Sequence, residues 1–185
     1  MRVLGGIFRG KKITAGDSLC IRPLTNKLKE SIFSTLNEFI LGKRILDLFA
    51  GSGGFGIEAF SRGADNITFV EKSHRSAALL SENLAHLSIP SDCFQIYRQD
   101  VIKYCQTSSK SYDLIFTDPP FNFNSLQNLI NLIMESTLLE RNGLLIIHHE
   151  ISNPVKSSSS FYMMFKQKRF GRSLISYIIH GVKDV

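Results

Sequence analysis

Asp47-Leu48-Phe49-Ala50-Gly51-Ser52-Gly53 is the stretch on which the fold of this chain turns. It ends an apolar run, Ile45-Leu46-Asp47-Leu48-Phe49, that reads as a buried strand, and its glycines open a helix over 53–62. Working downstream, the alternation repeats. Residues 66–71 read as a second strand and 73–87 as a helix; 93–98 is a third strand, with a short helix over 101–106. Residues 112–117 form a fourth strand, 125–138 a helix and 143–149 a fifth strand. Apolar strands alternating with helices imply an α/β fold, a doubly wound, mainly parallel sheet covered on both faces. The tail adds two strand-like runs, 161–169 and 173–180, joined at Phe170-Gly171-Arg172 as an antiparallel hairpin. Upstream, residues 1–15 read as a small β element turning at Arg9-Gly10-Lys11. Over 25–40, Leu28, Ile32, Phe33, Leu36 and Ile40 recur at helical spacing behind Thr25 as a cap. The expectation is one domain over 1–185, with 1–43 as a small N-terminal β/helix appendage.

A chain of 185 residues can bury one sizeable core without disulfides or metal. No apolar stretch reaches the ~20 residues of a bilayer crossing. The opening Met1-Arg2-Val3-Leu4-Gly5-Gly6 lacks the apolar centre of a signal peptide, so a cytoplasmic protein with no membrane partner is expected. Cys20, Cys93 and Cys105 are odd in number and far apart, which excludes a metal-type CxxC pair and a secreted disulfide framework. The histidines show no zinc-ligand spacing, and no metal is expected. His148-His149 lies near a strand end and could approach a site; a structural role is the preferred reading.

Charge is unevenly spread. Residues 1–44 carry nine Lys and Arg against three acids, 45–155 carry seven against twelve, and 156–185 carry six against one. A mildly acidic centre between two basic ends suits a polyanionic partner, and equally a solvated lysine-rich surface.

Gly51-Ser52-Gly53-Gly54-Phe55-Gly56 also satisfies GxGxxG, with Glu71 twenty residues beyond its first glycine. That is the dinucleotide fingerprint, so a nicotinamide or flavin oxidoreductase is a rival. Asp47 argues the other way. A carboxylate on the strand entering the loop opposes a diphosphate, but favours the ammonium of a methionine-type cofactor such as S-adenosylmethionine. Glu71 is placed to accept from ribose hydroxyls, and Asp100 either faces an adenine amino group or caps the helix that follows it.

The second motif, Asp118-Pro119-Pro120-Phe121, ends the fourth strand. Its prolines remove backbone donors and stiffen the segment, leaving the Pro119 carbonyl and the Asp118 carboxylate as acceptors for an amino group. Phe121 offers a ring on which a base can stack. Such a clamp orients a poorly nucleophilic amino nitrogen toward a sulfonium methyl and stabilises the charge that develops on it.

Together these motifs resemble the Rossmann-type amino-methyltransferases of nucleic acids. Gly5-Gly6-Ile7-Phe8-Arg9-Gly10-Lys11, Arg22-Pro23-Leu24-Thr25 and Lys29-Glu30-Ser31-Ile32-Phe33 narrow the likeness to the RsmD family of bacterial 16S ribosomal RNA guanine-N2 methyltransferases. The resemblance covers nearly the whole chain. It implies that Asp118, Pro119 and Phe121 hold the target amino group. It further implies that Asp47, Gly51, Gly53, Glu71 and Asp100 bind S-adenosylmethionine, and that Arg9, Lys11, Arg22 and Lys27 touch RNA. The implied partner is 16S ribosomal RNA within the small subunit or an assembly intermediate, met by a monomer. Leu24 and Lys29 depart from the family pattern, which has Thr and Arg there; Lys29 keeps the charge without the planar fork for bidentate phosphate contacts. Adenine or protein glutamine as methyl acceptor, and a non-catalytic ribosome-assembly module, are the competing readings.

Overall fold

Strand β1 (Arg44–Leu48) lies at the centre of five parallel strands in a computed structural model that describes residues 1–15, 24–120 and 122–181. It pairs in parallel with β2 (Asn66–Val70) on one side and β4 (Tyr112–Thr117) on the other. β3 (Phe94–Tyr97) extends the parallel sheet beyond β2, and β5 (Leu139–Glu150) beyond β4. β7 (Ser173–His180) then runs antiparallel to β5, and β6 (Tyr162–Phe170) closes the edge as its hairpin partner. The order is β3-β2-β1-β4-β5-β7-β6. It reverses between β1 and β4, and ligands of open α/β sheets bind outside the carboxyl ends of the strands at such a switch point.

Each face of the sheet is sealed by an apolar helix stripe. α1 (Asn26–Leu36), α2 (Gly54–Ser61) and α3 (His74–His86) bury Ile32, Phe33, Phe55, Ile57, Leu80 and Leu84 on one side. α4 (Val101–Thr107) and α5 (Leu126–Glu135) bury Tyr104, Leu129, Ile130 and Ile133 on the other. Thr25 and Ser73 cap α1 and α3 by accepting from the amides of Leu28 and Ser76, contacts worth about 1 kcal/mol each. Among the described residues no helix is long and apolar enough to cross a membrane.

Two boundaries differ most from the sequence expectation. α1 stops at Asn37, whose φ of 43° leaves the helix, and a 3-10 turn (Asn37–Ile40) carries the apolar period to Ile40. β5 starts at Leu139, paired with Tyr112 across an irregularity, before regular register resumes at Leu144 opposite Leu114.

The first fifteen residues form only one bridge, Arg2 to Lys12, around a 3-10 turn (Gly6–Phe8). The segment is held by α2. Glu58 accepts from the amides of Leu4 and Gly5 at 2.8 and 2.9 Å, and the Ser61 hydroxyl donates to the Gly5 carbonyl at 2.6 Å. Gly6 has φ +74°, and a Cβ there would fall 1.6 Å from the Ser61 carbonyl oxygen. The Gly5-Gly6 pair thus lets the chain lie flat on the helix. Lys29 is fully buried, donating to Glu58 at 3.1 Å and to the Arg2 carbonyl at 2.8 Å, so its charge faces inward.

Candidate active site

At the carboxyl ends of β1, β2, β4 and β5 lies a cavity of about 400 Å³. Its wall brings together Asp47, Gly51, Glu71, Asp118 and Pro119 from the sequence-predicted set, with Phe49, Lys72, Phe116 and His148. Met1 and Leu24 close one side, which sets the N-terminal segment beside the mouth.

The loop after β1 is built by backbone geometry. Phe49 adopts φ 59°, a left-handed conformation rare for a side chain of its size, and its ring meets that of Phe123 edge-on at 5.0 Å. The chain then turns tightly, with the Gly53 amide donating to the Ala50 carbonyl at 2.8 Å. Gly53 itself has φ +85°, and a Cβ on it would lie 2.4 Å from Leu80 Cδ1. It is therefore a packing and turn glycine beneath the loop, outside the cavity wall.

Asp47 is 2% exposed and accepts from the Gly56 amide in the first turn of α2 at 2.9 Å. The helix end that would greet a diphosphate in a dinucleotide enzyme is thus occupied by the protein's own carboxylate. Burial pushes its pKa up to about 8, the Gly56 bond opposing and the charges of Asp118 and Glu71 adding to the rise. Glu71 receives the Gly51 amide at 2.8 Å on one oxygen and the Ser73 amide at 2.7 Å on the other. Three acids and one Lys in one cavity form a setting for a cationic ligand. The cradle fits the ammonium and sulfonium of S-adenosylmethionine better than a pyrophosphate.

Asp100 does not reach the cavity wall. Its Oδ1 accepts from the Ile102 and Lys103 amides as the cap of α4, and its Oδ2 pairs with Lys72 at 3.2 Å. Of the two readings the sequence left open for it, the cap is the observed geometry. It stands one residue behind the wall, through Lys72.

In the second motif, Asp118 Oδ1 lies 2.7 Å from His148 Nδ1. The Pro120 carbonyl accepts from the Phe123 amide in a turn at 2.9 Å, whereas the Pro119 carbonyl takes no backbone hydrogen bond among the described residues. Phe121 lies outside the described residues, as does Arg22. Arg9, Lys11 and Lys27 are exposed, the first two on the segment held by α2 and the third in the first turn of α1.

Sequence reasoning passed over three residues. Lys72 and Ser73 follow Glu71 and complete its corner of the wall. His148 belongs to a pair whose structural reading was preferred, and the pair divides. His149 donates from Nδ1 to the Asn153 carbonyl at 2.9 Å and receives the Ser176 hydroxyl on Nε2 at 2.8 Å, and burial lowers its pKa; it is structural. Its neighbour faces the cavity.

The family model described as conserved hypothetical protein 95 (Cons_hypoth95) matches residues 1–179. A protein of Haemophilus influenzae named ribosomal RNA small subunit methyltransferase D is 31% identical, over 97% of this chain and 93% of its own. The protein of that name from Escherichia coli K12 is 29% identical, over 93% of this chain and 86% of its own. Among solved structures, yhhF from Escherichia coli superposes with a TM-score of 0.88 at 26% identity, covering 99% of both chains. With its sheet order, its glycine loop, its Asp-Pro-Pro motif and a family model matched over residues 1–179, the chain belongs to the RsmD methyltransferase family.

Proposed function

We propose that this chain methylates the exocyclic N2 amino group of a guanine in 16S ribosomal RNA, using S-adenosylmethionine. The observation that carries the reading is the meeting of the glycine loop, Asp47 and Glu71 with Asp118 and Pro119 in one cavity. Asp47, Gly51 and Glu71 hold the cofactor, Gly53 sets the turn beneath it, and Asp100 acts on that pocket through Lys72. Bound there, S-adenosylmethionine supplies a methyl carbon on a positively charged sulfur, which leaves as a neutral thioether.

The protein's own part is orientation and charge. Asp118 and the Pro119 carbonyl accept the two amino hydrogens, pointing the nitrogen lone pair into the cavity and favouring its pyramidal form. As the nitrogen forms its bond to carbon it becomes positive, and Asp118 stabilises that charge before the nitrogen gives up one proton to Asp118 or to water. Phe121, next along the motif, stacks the base after it is splayed out of its helix. Water is held off by Phe49, Phe116 and Leu24 in the wall.

Residues 1–43 act as the RNA-binding appendage. Arg9, Lys11, Arg22 and Lys27 grip the phosphate backbone, with the first fifteen residues held rigidly on α2 beside the cavity mouth. The substrate is the small ribosomal subunit or an assembly intermediate, met by a monomer in the cytoplasm. The test is methyl transfer from labelled S-adenosylmethionine to small subunits that lack the modification, followed by nucleoside analysis. N2-methylguanosine in 16S RNA is the expected product. Methyladenosine would keep the clamp and change the base, and methylation of protein alone would remove the RNA reading.

A further inference from the structure

We infer that His148 is the positioning residue of the amino-group clamp, donating from Nδ1 to Asp118 Oδ1 and so turning the other carboxylate oxygen toward the substrate. The inference rests on the reading of Asp118 as the group that meets the amino nitrogen. Its geometry comes from the sheet. β4 and β5 pair in parallel with Thr117 opposite Ile147, so the next residues, Asp118 and His148, are neighbours across the strand ends. They are 2.7 Å apart, and the His148 side chain is only 5% exposed, against 22% for Asp118. A partly exposed carboxylate at a strand end swings freely unless something holds it. Here one oxygen is fixed by a buried imidazole and the other is free for the substrate.

The second observation lies behind the clamp. A chamber of about 20 Å³, enough for one water molecule, is walled by Asp118, His148, Glu150, Asn153 and Ser173 among others. His148 Nε2 and Ser173 Oγ, both from that wall, are buried without a hydrogen-bond partner among the described residues. A water in the chamber donating to Nε2 would keep the proton on Nδ1, where Asp118 needs it. The charged and titratable groups bearing on the imidazole are few. From β4 comes Asp118, itself acted on by Asp47 from β1. From its own strand come His149, neutral through burial, and Glu150 at the chamber wall. From β7, the residue opposite is Ile175, and Ser173 brings only a hydroxyl.

The experiment compares wild type with His148→Leu, His148→Asn and Asp118→Ala, each assayed for S-adenosylmethionine affinity and for single-turnover transfer to the small subunit. His148→Leu removes the donor and is expected to lower the transfer rate about a hundredfold, with cofactor affinity unchanged. His148→Asn places an amide N–H near the position of Nδ1; it is expected to restore most of the rate. An unchanged rate in His148→Leu, beside a dead Asp118→Ala, overturns the role of His148 alone. Unchanged transfer in Asp118→Ala overturns the clamp reading and this inference with it. A transfer rate in His148→Asn as low as that of Asp118→Ala, with the cofactor bound normally, also overturns it, even where His148→Leu fails to fold.

Discussion

Lys29 and Glu58 lie 3.1 Å apart with neither side chain exposed. Glu58 also takes Arg62 Nε at 2.8 Å and the amides of Leu4 and Gly5. One carboxylate therefore joins α1, α2 and the N-terminal segment. Burial lowers the pKa of Lys29, and the charge and hydrogen bond of Glu58 oppose the shift.

Removing Glu58 should therefore hurt more than removing Lys29. Glu58→Ala leaves a buried ammonium without its counter-ion and two amides without partners, and is expected to cost about 3–5 kcal/mol in denaturant unfolding. Lys29→Met leaves Glu58 with Arg62 and both amides, so a smaller loss is expected. The reverse ranking would mean that the junction depends on the lysine.

Asp47 links stability to pH. Its folded pKa of about 8 is above the unfolded value of ~3.9, so the folded state holds the proton more tightly. Its contribution to stability is complete below about pH 4 and is lost as pH rises toward 8. Asp47→Asn should thus melt above wild type near pH 8, with the difference vanishing near pH 4. Meeting a cationic cofactor requires the carboxylate form, so calorimetry at neutral pH in buffers of different ionisation enthalpy should show proton release on binding. Asp47→Asn should show none.

Asp118→Ala should lower methyl transfer by about 10²-fold or more while leaving S-adenosylmethionine binding nearly intact. Equal loss of both would undo the division of roles between Asp118 and the glycine loop. Phe121→Ala should reduce turnover by misplacing the base, and unaltered kinetics would take it out of the site.

Gly53→Ala forces a side chain into φ +85° and against Leu80. The expected loss is about 1–3 kcal/mol of stability, with weaker cofactor binding because the loop after β1 shifts. Thermal unfolding and equilibrium dialysis read the two effects separately.

Neutralising Arg9, Lys11 and Arg22 should weaken RNA binding and flatten its salt dependence by about 0.7–0.9 in slope per lost phosphate contact. A triple variant with the wild-type slope would make this a solvated surface.

The strand, glycine-loop and helix units were legible because they rest on local rules. Apolar periodicity marks β1 and α2, Thr25 and Ser73 announce helix starts, and a left-handed turn needs the glycine found at 53. The two motifs were also legible as strand-end acceptors, since the strands before them could be counted. Asp100 shows where local rules stop: cap and ligand contact have the same signature, and only the distance to the cavity separates them.

Sequence alone determined which segments become strands and helices, that the sheet is mainly parallel, and which acids end up near strand ends. Those follow from patterns a few residues long. The tertiary structure decided which charges are buried and which side chains meet. Lys29 is hidden because it meets Glu58 of α2, and His148 touches Asp118, thirty residues away, because β4 and β5 are neighbours in one register. No local pattern carries that information, since the order and register of strands come from packing the whole sheet at once.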